Sequence, residues 1–128
     1  MSGIKCVLDT NFVLGLLRSE ERTLAWIRRE GVDASECAYS AITRMELLGF
    51  GGITASEDRL IRERLAMFSY VALSGEVEDE AIRIRRANKI GLPDAIIAAT
   101  ALLLDARVLT HDEQFLSVFS REVSTRAR

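Results

Sequence analysis

The sequence predicts an α/β protein with three layers, in which helices cover both faces of a central, mainly parallel, twisted sheet of four to five strands. Two observations lead to this prediction. Short apolar segments that favour strands alternate along the chain with longer segments of helical periodicity. Two of the strand-like segments also end at an acidic residue that begins a helix, which is typical of functional sites at the carboxyl ends of parallel strands.

The composition is that of an ordinary globular domain. The chain has 128 residues, 48% of them hydrophobic and 28% charged, so we expect a single domain over residues 1–128. The net charge of −2 provides no general attraction to nucleic acid, and RNA binding would need a local basic patch. No apolar run reaches the roughly 20 residues of a membrane span, so we expect a soluble, cytoplasmic protein. Cys6 and Cys37 lie in apolar surroundings and are expected to be reduced core thiols.

The elements of the first half follow from apolar patterns and helix-end residues. Strand-forming residues predict one strand near the start of the chain and a second strand before the helix that Ser40 caps. Serine, threonine and glycine then mark the ends of the helices, because serine and threonine cap amino termini and glycine ends helices. The predicted elements are a strand over 4–8, a buried helix over 11–17, a helix capped by Ser19 and ended by Gly31, a strand over 36–40, a helix over 41–48 capped by Ser40 and ended by Gly49, and a helix from the Thr54–Glu57 capping box to about Phe68.

The second half continues the alternation of strands and helices. A strongly amphipathic helix over 76–88 has acids in its first turns and arginines near its end, which suits the helix dipole. Pro93 suits the first turn of the next helix. The remaining predictions are a strand over 70–73, a helix over 94–104, a strand over 107–110, a short helix beginning at residues 111–115 and a weak edge strand at Val123.

Asp9 and Asp112 each follow a predicted strand and begin a helix. An aspartate at such a position is favoured as a helix cap, and capping alone explains either residue. If the two strands are parallel neighbours, however, their acids meet at one edge of the sheet. Carboxylates held close together do not all stay ionised without a cation, and their hard oxygen atoms select Mg²⁺ or Mn²⁺.

Glu46 and Asp94 are the other two candidate acids. Glu46 lies at the edge of an apolar helix face, so it is either an exposed rim residue or a partly buried acid with a partner. Asp94 lies in a first helical turn, where the dipole stabilises acids by about 0.3–1 kcal/mol. The helix that follows Asp94 is almost entirely small and apolar, so its first turn is expected to face a cleft.

Four segments in this order resemble the PIN domain family, and most of all the VapC-type toxins of toxin–antitoxin pairs. The segments are Val7-Leu-Asp-Thr-Asn11, Ser40-Ala-Ile-Thr-Arg-Met-Glu-Leu-Leu-Gly49, Gly91-Leu-Pro-Asp-Ala-Ile-Ile-Ala-Ala-Thr-Ala101 and Val108-Leu-Thr-His-Asp112 with Phe115. The resemblance covers essentially the whole chain. It departs at His111, where the family often has asparagine, and in the tail beyond Ser120.

The resemblance implies a PIN-like fold and a Mg²⁺- or Mn²⁺-dependent endoribonuclease that hydrolyses RNA phosphodiesters. It also implies a homodimer held inactive by a cognate antitoxin protein. Carried over by position, Asp9, Glu46, Asp94 and Asp112 match the acidic quartet that binds metal and performs catalysis. The supporting polar residues are Asn11 and Thr110, with His111 as a hydrogen-bonding group or, less simply, a general base.

The candidate RNA contacts are Arg44, Arg85, Arg86 and Lys89. An ordinary structural role competes with this function, since basic residues at a helix end match the dipole and pairs such as Asp79 with Arg83 stabilise helices. Phosphate contact would make RNA affinity fall with rising salt.

Two rival functions remain open from the sequence. A Mg²⁺-dependent phosphatase or phospho-acceptor domain also gathers acids on a parallel sheet, but a phosphatase needs a second aspartate where Asn11 stands, and a receiver-type site needs adjacent acids near Asp9. A non-catalytic RNA- or protein-binding module of the same fold would use the four acids as caps.

Overall fold

The computed structural model describes residues 3–126 and confirms the predicted α/β class. Four strands and seven α-helices alternate along this part of the chain. The strands are β1 (Cys6–Leu8), β2 (Cys37–Ser40), β3 (Ser69–Val71) and β4 (Arg107–Leu109). The helices are α1 (Thr10–Leu17), α2 (Glu21–Glu30), α3 (Ala41–Leu48), α4 (Ala55–Leu65), α5 (Gly75–Ala87), α6 (Leu92–Leu103) and α7 (Glu113–Arg126).

The four strands form one parallel sheet in the order β3-β2-β1-β4. The central strand β1 pairs with β2 on one side and with β4 on the other, so Leu8 lies between Tyr39 and Leu109. Parallel neighbours end at the same edge of a sheet, and this edge carries Asp9 immediately after β1. The condition under which Asp9 and Asp112 meet at one edge of the sheet, that their strands are parallel neighbours, is therefore fulfilled.

Helices pack on both faces of the sheet and form two apolar cores. Val7 and Ala38 point to one face, where α5, α6 and α7 cover them. Leu8 and Tyr39 point to the opposite face, where α1 and α2 pack. This alternation follows from the two-residue period of a strand, and strands buried on both faces have no polar side. Helix α6 contains eight consecutive buried residues, from Ala95 to Leu102, as its alanine-rich sequence predicts.

The edge strand predicted at Val123 is wrong. Val123 lies in α7, a helix of 14 residues that is much longer than predicted, and the described residues contain no fifth strand. Phe115, Phe119 and the buried Glu122 lie on one face of this helix at helical spacing. Glu122 accepts hydrogen bonds from Arg83 at 2.9 Å and from Asn88 at 2.8 Å. The buried carboxylate on this face of α7 is therefore paired with polar groups.

The helix-end predictions are partly confirmed. The capping box of Thr54 and Glu57 is formed in both directions, and Gly31 ends α2 in the left-handed conformation with φ of 64°. The cap assigned to Ser19 is wrong, because Glu20 occupies the cap position before α2 and Ser19 itself adopts φ of 52°. Ser40 does occupy the cap position of α3, but its side chain makes no capping hydrogen bond.

Three further predictions have a structural outcome. Cys6 and Cys37 are both free thiols buried in the core, on directly paired positions of β1 and β2. Within residues 3–126, no helix has the length and apolarity to span a membrane. The suggested pair of Asp79 with Arg83 is wrong, because Arg83 binds Glu80 and Glu122 instead.

Candidate active site

Asp9 lies between the last residue of β1 and the first residue of α1. Its Oδ1 accepts a hydrogen bond of 2.7 Å from the backbone N–H of Phe12, which makes it the cap of α1. The residue is only 6% exposed, and burial is the main cause that raises the pKa of its carboxyl. The Thr110 hydroxyl and the Phe12 N–H oppose this rise in pKa, while the charge of Asp112 adds to it.

Asp112 occupies the corresponding position after β4. Its Oδ1 accepts hydrogen bonds from the backbone N–H groups of Gln114, at 3.0 Å, and Phe115, at 3.1 Å, at the start of α7. The Thr110 hydroxyl accepts from the Asp112 N–H at 3.0 Å and also interacts with the Asp9 carboxylate. Thr110 therefore connects the two acids, and its role as a supporting polar residue stays a prediction.

Asp94 lies in the first turn of α6, directly after Pro93, and is partly buried. Burial is the largest cause that raises the pKa of its carboxyl, followed by the negative charges of Asp9, Asp112 and Glu46. The other three acids therefore all lie near enough to Asp94 for their charges to act on its carboxyl. Their negative charges destabilise the ionised form of Asp94.

Glu46 is exposed on α3 and is held by a threonine that sequence analysis did not single out. The Thr10 hydroxyl donates to Glu46 Oε1 at 2.7 Å and lies 3.0 Å from the hydroxyl of Thr43. Thr10 is the residue between Asp9 and Asn11 in the first motif, and its position next to the acid was the signal that could have identified it. Because Thr10 follows Asp9 directly in the chain, its bond to Glu46 connects that acid to the start of α1.

Three of the four acids line two neighbouring clefts, and the fourth, Asp94, lines neither. A cleft of about 360 Å³ is lined by Asp9, Asn11, Thr110, His111 and Asp112, together with Leu14, Arg18, Glu20 and Arg22. A second cleft, of about 750 Å³, is lined by Thr10 and Glu46 and by apolar residues of α1, α3 and α4. Arg18 lines both clefts.

A divalent cation fits the chemistry of these side chains, although they are not arranged as a finished metal site. Within residues 3–126, no three acidic, histidine or cysteine side chains lie close enough together to hold a metal ion. The fit comes from the donor set, because hard carboxylate oxygens suit Mg²⁺ and Mn²⁺. Burial and then the charges of the other acids raise the pKa of Asp94, and a cation relieves the repulsive part of this effect. Among the described residues, the buried Ser40 hydroxyl has no hydrogen-bond partner, and Ser40 ends β2 at the sheet edge where Asp9 follows β1.

His111 has structural contacts on two sides. Its Nε2 lies 3.0 Å from the hydroxyl of Thr23, and its ring packs against that of Phe12 with centroids 5.1 Å apart. Burial and then the charge of Arg22 lower the pKa of the imidazole, while Asp9 and Glu20 oppose this shift. These contacts favour a neutral ring that orders the loop before Asp112.

The basic residues that line the clefts are not the ones that were predicted to contact RNA. The predicted residues are Arg44, Arg85, Arg86 and Lys89, and all four are exposed and line neither cleft. Arg18 and Arg22 line the cleft with Asp9, yet sequence analysis missed them because a single arginine on a helix carries no pattern. Only the turn between α1 and α2 brings them to the acids.

Comparison with known proteins agrees with the fold. The chain is similar to a solved toxin–antitoxin complex from Klebsiella pneumoniae, with 27% identity and a TM-score of 0.73 over 84% of this chain and 87% of that one. It is also similar to FitAcB from Neisseria gonorrhoeae, with 26% identity and a TM-score of 0.72 over 90% and 93% of the two chains. VapBC-1 from nontypeable Haemophilus influenzae shares the fold, with 22% identity and a TM-score of 0.75 over 92% and 94%.

Sequence comparison identifies the family. No curated protein matches this chain. The model of the PIN domain matches residues 6–119, which include all four strands and all four acids. The chain therefore belongs to the PIN domain family.

Proposed function

We propose that the chain is a Mg²⁺- or Mn²⁺-dependent endoribonuclease and the toxin of a toxin–antitoxin pair. The observation that carries the proposal is that Asp9 and Asp112 follow neighbouring parallel strands and line the same cleft, with Thr110 between them. The family membership and the similarity to a toxin–antitoxin complex support it. A cognate antitoxin and a second copy of the chain are the proposed protein partners, and RNA is the proposed substrate.

The proposed roles follow from the position of each side chain. Asp9 and Asp94 are the more buried acids and are proposed to hold the cation directly. Glu46, held by Thr10, and Asp112, held by its helix, are proposed to bind it directly, to bind it through water, or to orient the attacking water. A bound divalent cation supplies charge that makes water more acidic and stabilises the negative charge that develops at phosphorus.

The neighbouring polar residues are proposed to fix these carboxylates. Thr110 holds Asp9 and the backbone of Asp112 together, so it limits the motion of both acids. Asn11 is exposed and lines the cleft, where its amide can hydrogen-bond the substrate. His111 is proposed to position the loop through Thr23, because its Nε2 is already engaged there.

A second candidate function has one observation in its favour. Asp9 and Asp112 both cap helices, so their presence is explained even without a metal, as in a non-catalytic RNA- or protein-binding module of this fold. The two functions differ in a single measurable property, which is metal-dependent cleavage of RNA.

Cleavage of single-stranded RNA by the purified chain tests the proposal. We expect cleavage with Mg²⁺ or Mn²⁺, no cleavage with EDTA, and a loss of at least about 100-fold for Asp9→Asn. Asparagine also caps helices, so this variant should fold. Asp33→Asn is the matched control, because Asp33 caps the short turn Ala34–Glu36 and belongs to neither cleft. If Asp9→Asn cleaves like the wild type, or if EDTA leaves cleavage unchanged, the metal-dependent mechanism is wrong. If the wild type does not cleave RNA with Mg²⁺ or Mn²⁺, the nuclease proposal is wrong.

A further inference from the structure

Two arginines stand at the corner between α1 and α2, next to two of the carboxylates. Arg18 is the C-cap residue directly after α1, and Arg22 lies in the first turn of α2. The chain turns between them at Ser19, which adopts φ of 52°. Both line the cleft of about 360 Å³ that Asp9 and Asp112 also line. The corner therefore concentrates positive charge beside the candidate active site in a chain whose net charge is negative.

Neither guanidinium group has a carboxylate partner among the described residues. Other arginines do have one: Arg28 binds Glu21, Arg62 binds Asp58, and Arg107 binds Glu30. Glu20 lines the same cleft as Arg18 and Arg22 but forms no ion pair with either of them in the part of the chain that the structure describes. Side chains that hold a charge in a cleft without a protein partner are available to a ligand of opposite charge.

A negatively charged ligand would need the two arginines because the carboxylates in the same cleft repel it. Asp9 and Asp112 repel any phosphate that approaches the cleft, and the repulsion extends along a polyanion beyond the reacting group. An arginine presents a planar fork of N–H donors that matches two phosphate oxygens, and it stays charged at every physiological pH. Placed beside the acids, the pair can hold a second phosphate of the same strand while the carboxylates and their cation take the first.

We propose that Arg18 and Arg22 form a subsite for a backbone phosphate of the RNA strand, next to the phosphate that is cleaved. The proposal rests on the endoribonuclease function proposed above and assigns its RNA contact to the α1–α2 corner. Contacts to phosphate carry no base information, so the subsite positions the strand and leaves the choice of sequence to other groups.

Binding of a short single-stranded RNA to the Asp94→Asn variant in the presence of Mg²⁺ tests the subsite without cleavage. In that background, we expect Arg18→Ala and Arg22→Ala each to weaken binding about five- to tenfold at 0.1 M salt. Each should also lower the magnitude of the slope of log affinity against log salt by about 0.7. Arg18→Lys and Arg22→Lys should keep most of the slope, because the charge is retained. Arg64→Ala, an exposed arginine of α4 that lines neither cleft, is the charge-matched control.

The outcomes separate this proposal from the proposed function. If the wild type cleaves RNA in a metal-dependent manner but the two alanine variants bind RNA like the Arg64→Ala control, the subsite is wrong and the nuclease function stands. If the chain neither binds nor cleaves RNA, both proposals are wrong. A fall in thermal stability that lysine does not rescue, with an unchanged salt slope, would show a structural role and would also overturn the subsite.

Discussion

The hydroxyl of Thr23 and Nε2 of His111 lie 3.0 Å apart, although 88 residues separate them in sequence. This contact joins α2 to the loop that leads from β4 to Asp112. Thr23 is fully buried, and α1 crosses above it at Gly15. One hydrogen bond thus couples the packing of two helices to the position of an acid in the candidate active site.

Gly15 is predicted to be essential for this coupling. A Cβ at Gly15 would overlap the hydroxyl of Thr23 and would lie 2.9 Å from Glu20 Oε1, so Gly15→Ala must displace Thr23 from His111. Alanine gains about 1 kcal/mol over glycine inside a helix, but overpacking a buried site costs about 1–3 kcal/mol. We expect a net loss of up to about 2 kcal/mol in the free energy of unfolding, measured by urea denaturation.

Gly75→Ala is the control for Gly15→Ala. Gly75 also lies in a helix, at the start of α5, and no atom lies within 4 Å of the position that its Cβ would take. We expect this substitution to leave stability unchanged or to raise it slightly. Equal effects of the two substitutions would show that Gly15 has no packing role.

Asp94→Asn is predicted to leave the metal-free protein at least as stable as the wild type. Burial and three neighbouring acids raise the pKa of Asp94, which means that its ionised form is disfavoured in the folded state at neutral pH. A neutral asparagine removes this repulsion. Thermal unfolding in EDTA at pH 7.5 measures the effect, with Asp79→Asn on the exposed face of α5 as the control. A clear fall in the melting temperature for Asp94→Asn alone would mean that the carboxylate stabilises the fold.

Ser40→Ala is predicted to be harmless, although Ser40 occupies a helix cap position. Replacing a capping serine by alanine usually costs about 0.5–2 kcal/mol, but the Ser40 side chain forms no capping bond, and its hydroxyl is buried without a partner. We expect an unchanged or slightly higher free energy of unfolding for Ser40→Ala in urea.

Thr43→Val provides the contrast for Ser40→Ala. Thr43 is equally buried and also lies near the start of α3, but its hydroxyl is hydrogen-bonded to that of Thr10. The nearly isosteric change to valine removes one partner of this bond and should lower the free energy of unfolding by about 1 kcal/mol. If Ser40→Ala is as destabilising as Thr43→Val, the Ser40 hydroxyl has a partner in solution.

Local patterns were sufficient to predict most of the sheet and the acids. Val7 and Leu8 mark a strand through their own preference, and Asp9 ends it through its preference for a cap, so the sequence around β1 contains the information for both. The alternation of strands and helices predicted a parallel sheet, but it left open whether β1 pairs with β4, which the structure shows.

The rest depends on contacts that no local pattern encodes. Val123 favours a strand by itself but lies in a helix, because Phe119 and Glu122 in the same segment are buried on one helical face. Arg18 and Arg22 lie beside the acids only because the chain turns sharply at Ser19. The partners of Arg83 likewise depend on how α7 packs, since Glu122 lies 39 residues away.

Glu122 is predicted to stabilise the protein at neutral pH and to lose this effect in acid. Burial alone would raise the pKa of Glu122, but the hydrogen bonds from Asn88 and Arg83 outweigh burial and lower the pKa below its ordinary value of 4.5. A carboxyl group whose pKa is lowered by folding contributes stability above its unfolded pKa, and this contribution disappears as the pH falls through the folded pKa. Glu122→Gln should therefore lower the free energy of unfolding by about 1–2 kcal/mol at pH 7, because glutamine keeps the shape but not the charge.

Urea denaturation of the wild type and Glu122→Gln between pH 3 and pH 7 measures this dependence. We expect a constant difference between the two proteins from pH 7 down to about pH 5, and a shrinking difference below the ordinary pKa of 4.5. Glu63→Gln, at an exposed position of α4, should show almost no difference from the wild type at any pH in this range. A Glu122→Gln difference that stays the same down to pH 3 would show that the loss is one of packing and that the charge of Glu122 does not stabilise α7 against α5.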